Sequence, residues 1–395
     1  MLPAWLSFII IIGVVMALSK YELGIILTIG AVGFALLAGV DIIQSLINVL
    51  TDPSILSLII IMILIPILGG IMEESGLMIE MIEKMRISKK SSLMMIPALF
   101  GLLPVPGGAL MSAPIVQQID PEADVNQKVA INVWYRHMLI MNYPLSSSLI
   151  IASILTDINL YLLVLGLLPG LIVMWLIGYI TLVKNISPFP EQGQRDLKRA
   201  FHNLLPILIA PIIDFIGRTF FDIPVPELFL LGGLVLSIWL ALRFGKMKFS
   251  SVKAISKKMR IWRFPLIIFS MFMFLEVFMI SGAPEEIASV DLSVFLLILI
   301  GFFLGFATGR IQLPISILIP IYLAQFAGIT MPLLDFIFIY TSSSLGYLIT
   351  PIHPCVSYST EYFETNFLKA VKILGKPILI SFLLLIGLYW VFQII

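Results

Sequence analysis

The chain of 395 residues has one cysteine, three histidines and little charge, since Asp, Glu, Lys and Arg together make up only 12% of it. A single cysteine, Cys355, excludes an intrachain disulfide, and its expected role is a small apolar filler. The histidines, His137, His202 and His353, have no partner at the usual metal-ligand spacing, so the sequence predicts no metal centre and no bound cofactor. Signatures of catalysis are missing too: there is no His-Glu-x-x-His, no Gly-x-Ser-x-Gly, no pair of intramembrane aspartates and no Gly-x-x-x-x-Gly-Lys-Ser/Thr loop. These absences argue against an enzyme and against an ATP-driven pump. The segment from Met1 to Leu18 lacks a basic start, so no cleavable signal peptide is expected.

What is abundant is apolar. Hydrophobic residues make up 60% of the chain and the mean hydropathy is +1.09, which leaves too little polar surface to cover a globule in water. The reading is an all-α polytopic membrane protein. A hydrocarbon core of about 30 Å needs roughly 20 helical residues, and ten stretches come near that length. They run over residues 3–18, 23–40, 54–72, 137–156 and 160–183 in the first half, and over 203–217, 226–243, 264–281, 333–358 and 376–395 in the second. Two further stretches, 93–117 and 293–328, carry Gly and Pro in their middles and are expected to be re-entrant hairpins.

Charge gives the sidedness. All of the 24 Lys and Arg except Arg218 and Arg310 fall on connections that follow odd-numbered crossings, with the longest basic run between Arg243 and Arg263. Acids such as Asp41, Asp52, Asp157, Glu285 and Glu286 fall on the even ones. The positive-inside rule then places the odd connections in the cytoplasm and both termini outside, and the basic run reads as an orientation signal rather than a nucleic-acid site.

The halves also resemble each other. A shift of 206 or 207 residues superposes Ser75-Gly76 on Ser281-Gly282, Pro114 on Pro320 and Pro144 on Pro351. Each half holds five crossings and one hairpin, and an odd number of crossings inverts the second copy, so the expectation is two inverted repeats about an axis in the membrane plane. Repeat one covers residues 1–183, a cytoplasmic linker 184–200, and repeat two 201–395.

Transporters of this build hold their substrate near the midplane, where helices are broken. The candidate breaks are the turn at Pro106, Gly107 and Gly108, followed by Ser112; the interruption at Asn142 and Pro144, followed by Ser146; the turn at Thr308, Gly309 and Arg310, followed by Gln312; and the interruption at Thr350, Pro351 and His353. Each offers small hydroxyls and a helix N-terminus that favours an anion, although any single Ser can also serve only to pack helices. Arg310 stands out as a base at membrane depth, which is functional by default. Two roles are open to it: a planar fork for a carboxylate, or a structural partner for Glu276, Glu73 or Glu74. Candidates for coupling an ion are Glu276, Asp214, Asn142 and Thr350.

With the Pro-Gly-Gly turn at 106–108 and the Thr-Pro-Ile-His-Pro stretch at 350–354, the chain resembles over essentially its whole length a prokaryotic family of uncharacterised integral membrane proteins. That family is placed in the ion transporter superfamily, alongside divalent-anion/sodium symporters and the citrate, gluconate and arsenite permeases. The resemblance implies an elevator mechanism, a homodimer, and a scaffold made of crossings one, two, six and seven, with the remainder moving. The sodium-coupled carboxylate members carry Ser-Asn-Thr at each hairpin tip, a sequence that this chain lacks at both. The resemblance therefore carries an anion over further than it carries sodium. The combined expectation is an ion-coupled carrier of a small organic anion such as a carboxylate in a prokaryotic inner membrane, with a sodium ion or a proton as the coupling ion. An inorganic oxyanion carrier is the alternative, followed by an ion channel.

Overall fold

The computed structural model describes residues 2–18, 21–85, 88–102, 108–187, 196–290, 292–326 and 330–394. Among them there is no strand. The first half contains α1 (Ala4–Ala17), α2 (Leu23–Ala38), α3 (Ile42–Thr51), α4 (Pro53–Glu74), α5 (Leu77–Met85), α6 (Lys89–Gly101), α7 (Gly108–Ile119), α8 (Val125–Ile140), α9 (Ser147–Thr156) and α10 (Leu160–Gly178). The second contains α11 (Leu197–Phe220), α12 (Glu227–Phe244), α13 (Ser251–Lys258), α14 (Arg263–Ile280), α15 (Ala283–Ala288), α16 (Val294–Thr308), α17 (Gln312–Gln325), α18 (Leu333–Ile349), α19 (Pro354–Tyr362) and α20 (Phe367–Ile394).

Local chemistry sets several boundaries. Asp52 caps α4 by accepting from the N–H groups of Ser54 and Ile55 at 2.8 and 3.1 Å, with Pro53 in the first turn where its missing donor costs nothing. Asp124 caps α8 in the same way through Asn126 and Gln127. Gly39 takes a left-handed conformation (φ 75°) and stops α2, and Gly309 (φ 61°) stops α16.

Among the described residues seven spans are long and apolar enough to cross a membrane: Pro53–Glu74, Leu160–Val183, Leu197–Phe220, Glu227–Phe244, Arg263–Ile280, Leu333–Tyr362 and Phe367–Ile394. Large apolar side chains such as Leu36, Phe220 and Phe303 lie exposed on the outside, as suits a polytopic membrane protein. Three of the ten expected crossings are shorter than that. Those at 3–18 and 23–40 are α1 and α2, of 14 and 16 residues, and 137–156 is the end of α8 followed by the ten-residue α9. The last crossing begins at Phe367 rather than 376, because Lys369, Lys372 and Lys376 continue the helix; long basic side chains can reach water from a helix end. The linker ends earlier than expected, since Asp196 accepts from the N–H of Arg199 and starts α11 at Leu197.

The helices sort into two packed groups. One comprises α1–α5 with α11–α14, and the other α6–α10 with α16–α20; α15 and a contact of α14 with α17 join them. Pairings recur reciprocally between the halves. As α2 packs on α14, α12 packs on α4; as α7 packs on α19, α17 packs on α9; and α5 meets α11 as α15 meets α1. Glycine makes the tightest of these contacts possible. A methyl group at Gly305 would overlap the carbonyl of Ser343, one at Gly346 that of Phe302, and one at Gly101 that of Arg136, so α16 on α18 and α6 on α8 approach backbone to backbone.

Candidate functional site

Two helix breaks face each other across the second group. Between α8 and α9 the chain turns through residues 141–146, with the N–H of Ser146 donating to the carbonyl of Tyr143 at 2.8 Å and the Tyr143 hydroxyl to the carbonyl of Ile207 at 2.8 Å. Between α18 and α19 it turns through Thr350–His353, where the N–H of His353 donates to the carbonyl of Thr350 at 3.2 Å. The tip between α16 and α17 is held by Thr308, whose hydroxyl bonds the carbonyls of Leu304 and Arg310 at 2.7 and 3.2 Å. The corresponding tip at Pro106 and Gly107 lies outside the described residues, and Gly108 opens α7.

A cavity of about 380 Å³ lies where these breaks meet the first group. Met62 of α4 and Arg263, Phe264 and Ile267 of α14, with Glu22, form one wall. The opposite wall consists of Arg136 and His137 of α8, Ser146–Ser148, Gly309–Gln312, Tyr347 of α18, and Cys355 and Tyr358 of α19. The cavity therefore sits between the two packed groups and touches three of the predicted breaks.

Its charge is positive. Arg263 forms an ion pair with Glu22, with Nε on a carboxylate oxygen at 2.7 Å, which uses the one carboxylate on the lining. Arg136 is only 5% exposed, and its Nη1 has no hydrogen-bond partner. Among the described residues no carboxylate pairs with Arg310: Glu276 accepts from Asn48 at 2.6 Å, while Glu73 and Glu74 bind Lys258 at 3.3 and 2.7 Å. None of the three acids considered as structural partners for Arg310 fills that role. Two guanidiniums are thus left facing the cavity, joined by the N-termini of α9, α17 and α19, whose backbone N–H groups and positive dipole ends add to the field.

Of the residues predicted from sequence, Ser146, Gly309, Arg310 and Gln312 line this cavity. Gln312 donates to Ser147 at 2.8 Å, and Ser146 contacts Ser148, which contacts the hydroxyl of Tyr340, each at 2.9 Å. His353 is fully buried, with Nε2 at 3.1 Å from Nε2 of His137 on the cavity wall. Thr350 is buried beside Gly309, and Pro351 is exposed. Pro144 lies half-buried in its break without lining the cavity. Ser112 belongs to another network, donating to Asn132 at 2.6 Å, which in turn donates to Ser359 at 2.9 Å. Asn142 borders a separate pocket of about 20 Å³, with its Oδ1 unbonded.

Two candidates for ion coupling have structural partners. Asp214 is fully buried and bound by Arg218 Nε at 3.0 Å and by the Tyr161 hydroxyl at 2.9 Å, with Glu227 also on Arg218 at 3.5 Å. Glu276 has Asn48. Ser342 donates to the carbonyl of Ile298 and ties α18 to α16, while Ser343 and Ser344 donate back to the carbonyls of Ile339 and Tyr340 in their own helix.

Sequence reasoning missed Arg136, His137, Tyr347, Cys355 and Tyr358 on the lining. Arg136 reads from sequence as a charge on a cytoplasmic connection, although the position of Arg136 and His137 one to two turns before the break at Asn142 is a usable signal. His137, His353 and Cys355 bring their ligand atoms within 4.8 Å of one another, a grouping that local spacing could not reveal. The two guanidiniums beside it make the surroundings hostile to a divalent cation, and we do not read the trio as a metal centre.

These features define an all-helical polytopic membrane protein with a basic cavity between two helix groups. The chain belongs to the family described as Protein of unknown function (DUF401), whose model matches residues 2–395. No curated protein matches it.

Proposed function

We propose that the protein is an ion-coupled secondary transporter of a small organic anion, with carboxylates the foremost class. The observation that carries this reading is the pair of guanidiniums, Arg136 and Arg310, that line a cavity between two helix groups with no carboxylate partner among the described residues. An unpaired charge so placed is costly, and a bound anion offsets that cost. The planar fork of arginine suits a carboxylate or an oxyanion. An inorganic oxyanion meets the same chemistry and is the second reading.

The reciprocal packing of the halves supports an inverted repeat. The division into two groups supports an elevator, in which α6–α10 and α16–α20 slide against the others and carry the cavity wall with them. The resemblance puts crossings one, two, six and seven alone in the static part; in this reading α4 and α14, which pack on α12 and α2, belong to it as well. In this reading the static group also forms a homodimer, the membrane is the inner membrane of a prokaryote, and both termini lie outside.

A thermal-shift screen of purified protein against mono-, di- and tricarboxylates, sulfate and phosphate, each with and without sodium, tests the reading. Ligand at 100 times its Kd stabilises the folded state by about 2.7 kcal/mol. The expected result is stabilisation by one anion class that Arg136→Gln and Arg310→Gln each reduce by half or more. Stabilisation by none of them, or stabilisation indifferent to both substitutions, would contradict it.

A further inference from the structure

The coupling ion can be argued from two imidazoles. His137 Nδ1 lies 2.7 Å from the carbonyl of Val133. A carbonyl only accepts, so Nδ1 carries the proton, and Nε2 of the neutral ring is a lone pair. His353 Nε2 lies 3.1 Å from that lone pair and must donate to it. The remaining nitrogen, His353 Nδ1, is then bare, buried and without a hydrogen-bond partner among the described residues.

The surroundings of the pair decide when that proton arrives. Tyr347 lies against His353 with ring centroids 4.2 Å apart, a face that stabilises a cationic ring; its hydroxyl is 3.4 Å from His137 Nε2. Arg136 on α8 and Arg310 at the α16–α17 tip bring positive charge, Cys355 and Tyr358 on α19 bring none, and Glu22 across the cavity is held by Arg263. No carboxylate forms an ion pair with either ring among the described residues. The two guanidiniums therefore oppose a further positive charge on the pair, and an anion seated on Arg136 and Arg310 removes that opposition.

We infer that the His137–His353 pair is the coupling-ion site and takes up one proton when an anion enters the cavity beside it, an inference that rests on the anion-carrier reading. Anion and proton then favour each other's binding by the same factor, and the coupling ion is a proton rather than sodium.

The test uses the count of three histidines in the chain. In full-length protein labelled with ¹⁵N-histidine, in detergent, the imidazole signals are followed against pH, alone and with succinate, citrate or sulfate, and His202 serves as internal reference. The pair should load a single shared proton, at a midpoint about one pH unit higher with a binding probe than without, a tenfold coupling. His353→Gln should abolish the proton uptake that accompanies binding, and Arg136→Gln should let the probe-free pair load at higher pH. Two independent titrations, or rings that stay neutral at pH 5 with a probe bound, would overturn the inference, as would one equivalent of Zn²⁺ binding tightly to both Nε2 atoms. If no probe binds, the anion reading falls; the probe-free titration then decides by itself, a shared single proton upholding the site and separate titrations overturning it.

Discussion

Replacing Arg310 separates binding from stability. In Arg310→Gln the cavity keeps its shape and loses one of its two unpaired guanidiniums. A carboxylate about 4 Å from that charge gains about 4 kcal/mol at an effective dielectric of about 20, and desolvation of the anion cancels part of it. Loss of a hydrogen bond to a charged group measures about 1.5–3 kcal/mol, a roughly 10- to 150-fold weaker Kd. Arg310→Lys should fall between, because it keeps the charge and loses the fork. Since Glu276, Glu73 and Glu74 all have other partners, no acid is orphaned by the substitution, and removing an unpaired charge should leave ligand-free stability unchanged or raised. Calorimetric titration of the anion found in the screen, alongside thermal midpoints without it, measures both quantities. Wild-type affinity in folded Arg310→Gln would refute the argument, and so would a collapse in stability that Glu276→Gln rescues.

Three further outcomes are expected. Gly346→Val should fail to assemble, since its side chain meets the carbonyl of Phe302 in the α16–α18 contact; normal yield and thermal midpoint would contradict that packing. The hydrogen bond from Arg199 holds the Glu80 carboxyl below its usual value of 4.5. That stability is present above the usual value and lost as pH falls through the depressed one, so the thermal midpoint of Glu80→Gln should fall less steeply with acid than that of wild type; equal slopes would dismiss the contribution. Single cysteines introduced at Lys248 and Glu285 in a Cys355→Ala background should label oppositely with an impermeant reagent outside intact cells, at 285 and not at 248, and the reverse would overturn the orientation.

The breaks were legible because their chemistry is local. Pro144 and Pro351 cannot continue a helix, Gly309 can adopt the left-handed turn, and Arg310 stood out as a base in an apolar stretch. What escaped notice depended on partners distant in sequence. His137 meets His353 across 216 residues, and Arg136 reads as a loop charge until α8 is seen buried in the second group. The fate of Asp214 was half visible, since Arg218 is one helical turn on, at the (i, i+4) spacing of an ion pair. Glu276 finds Asn48 across 228 residues, which no spacing rule predicts. Among the described residues seven spans are long and apolar enough to cross where ten crossings were expected: α1 and α2 fill expected stretches that were themselves short, at 14 and 16 residues, and the Asn142 break divides α8 from α9, pieces that hydropathy alone joins.

Counterflow in proteoliposomes tests the central claim, that the cavity between the helix groups carries an anion across. With the carboxylate or oxyanion identified by the screen, labelled uptake should saturate, speed up when the same unlabelled anion is loaded inside, and vanish in Arg136→Gln. Uptake that rises without saturation and ignores the internal anion, or that persists unchanged in Arg136→Gln, would contradict it.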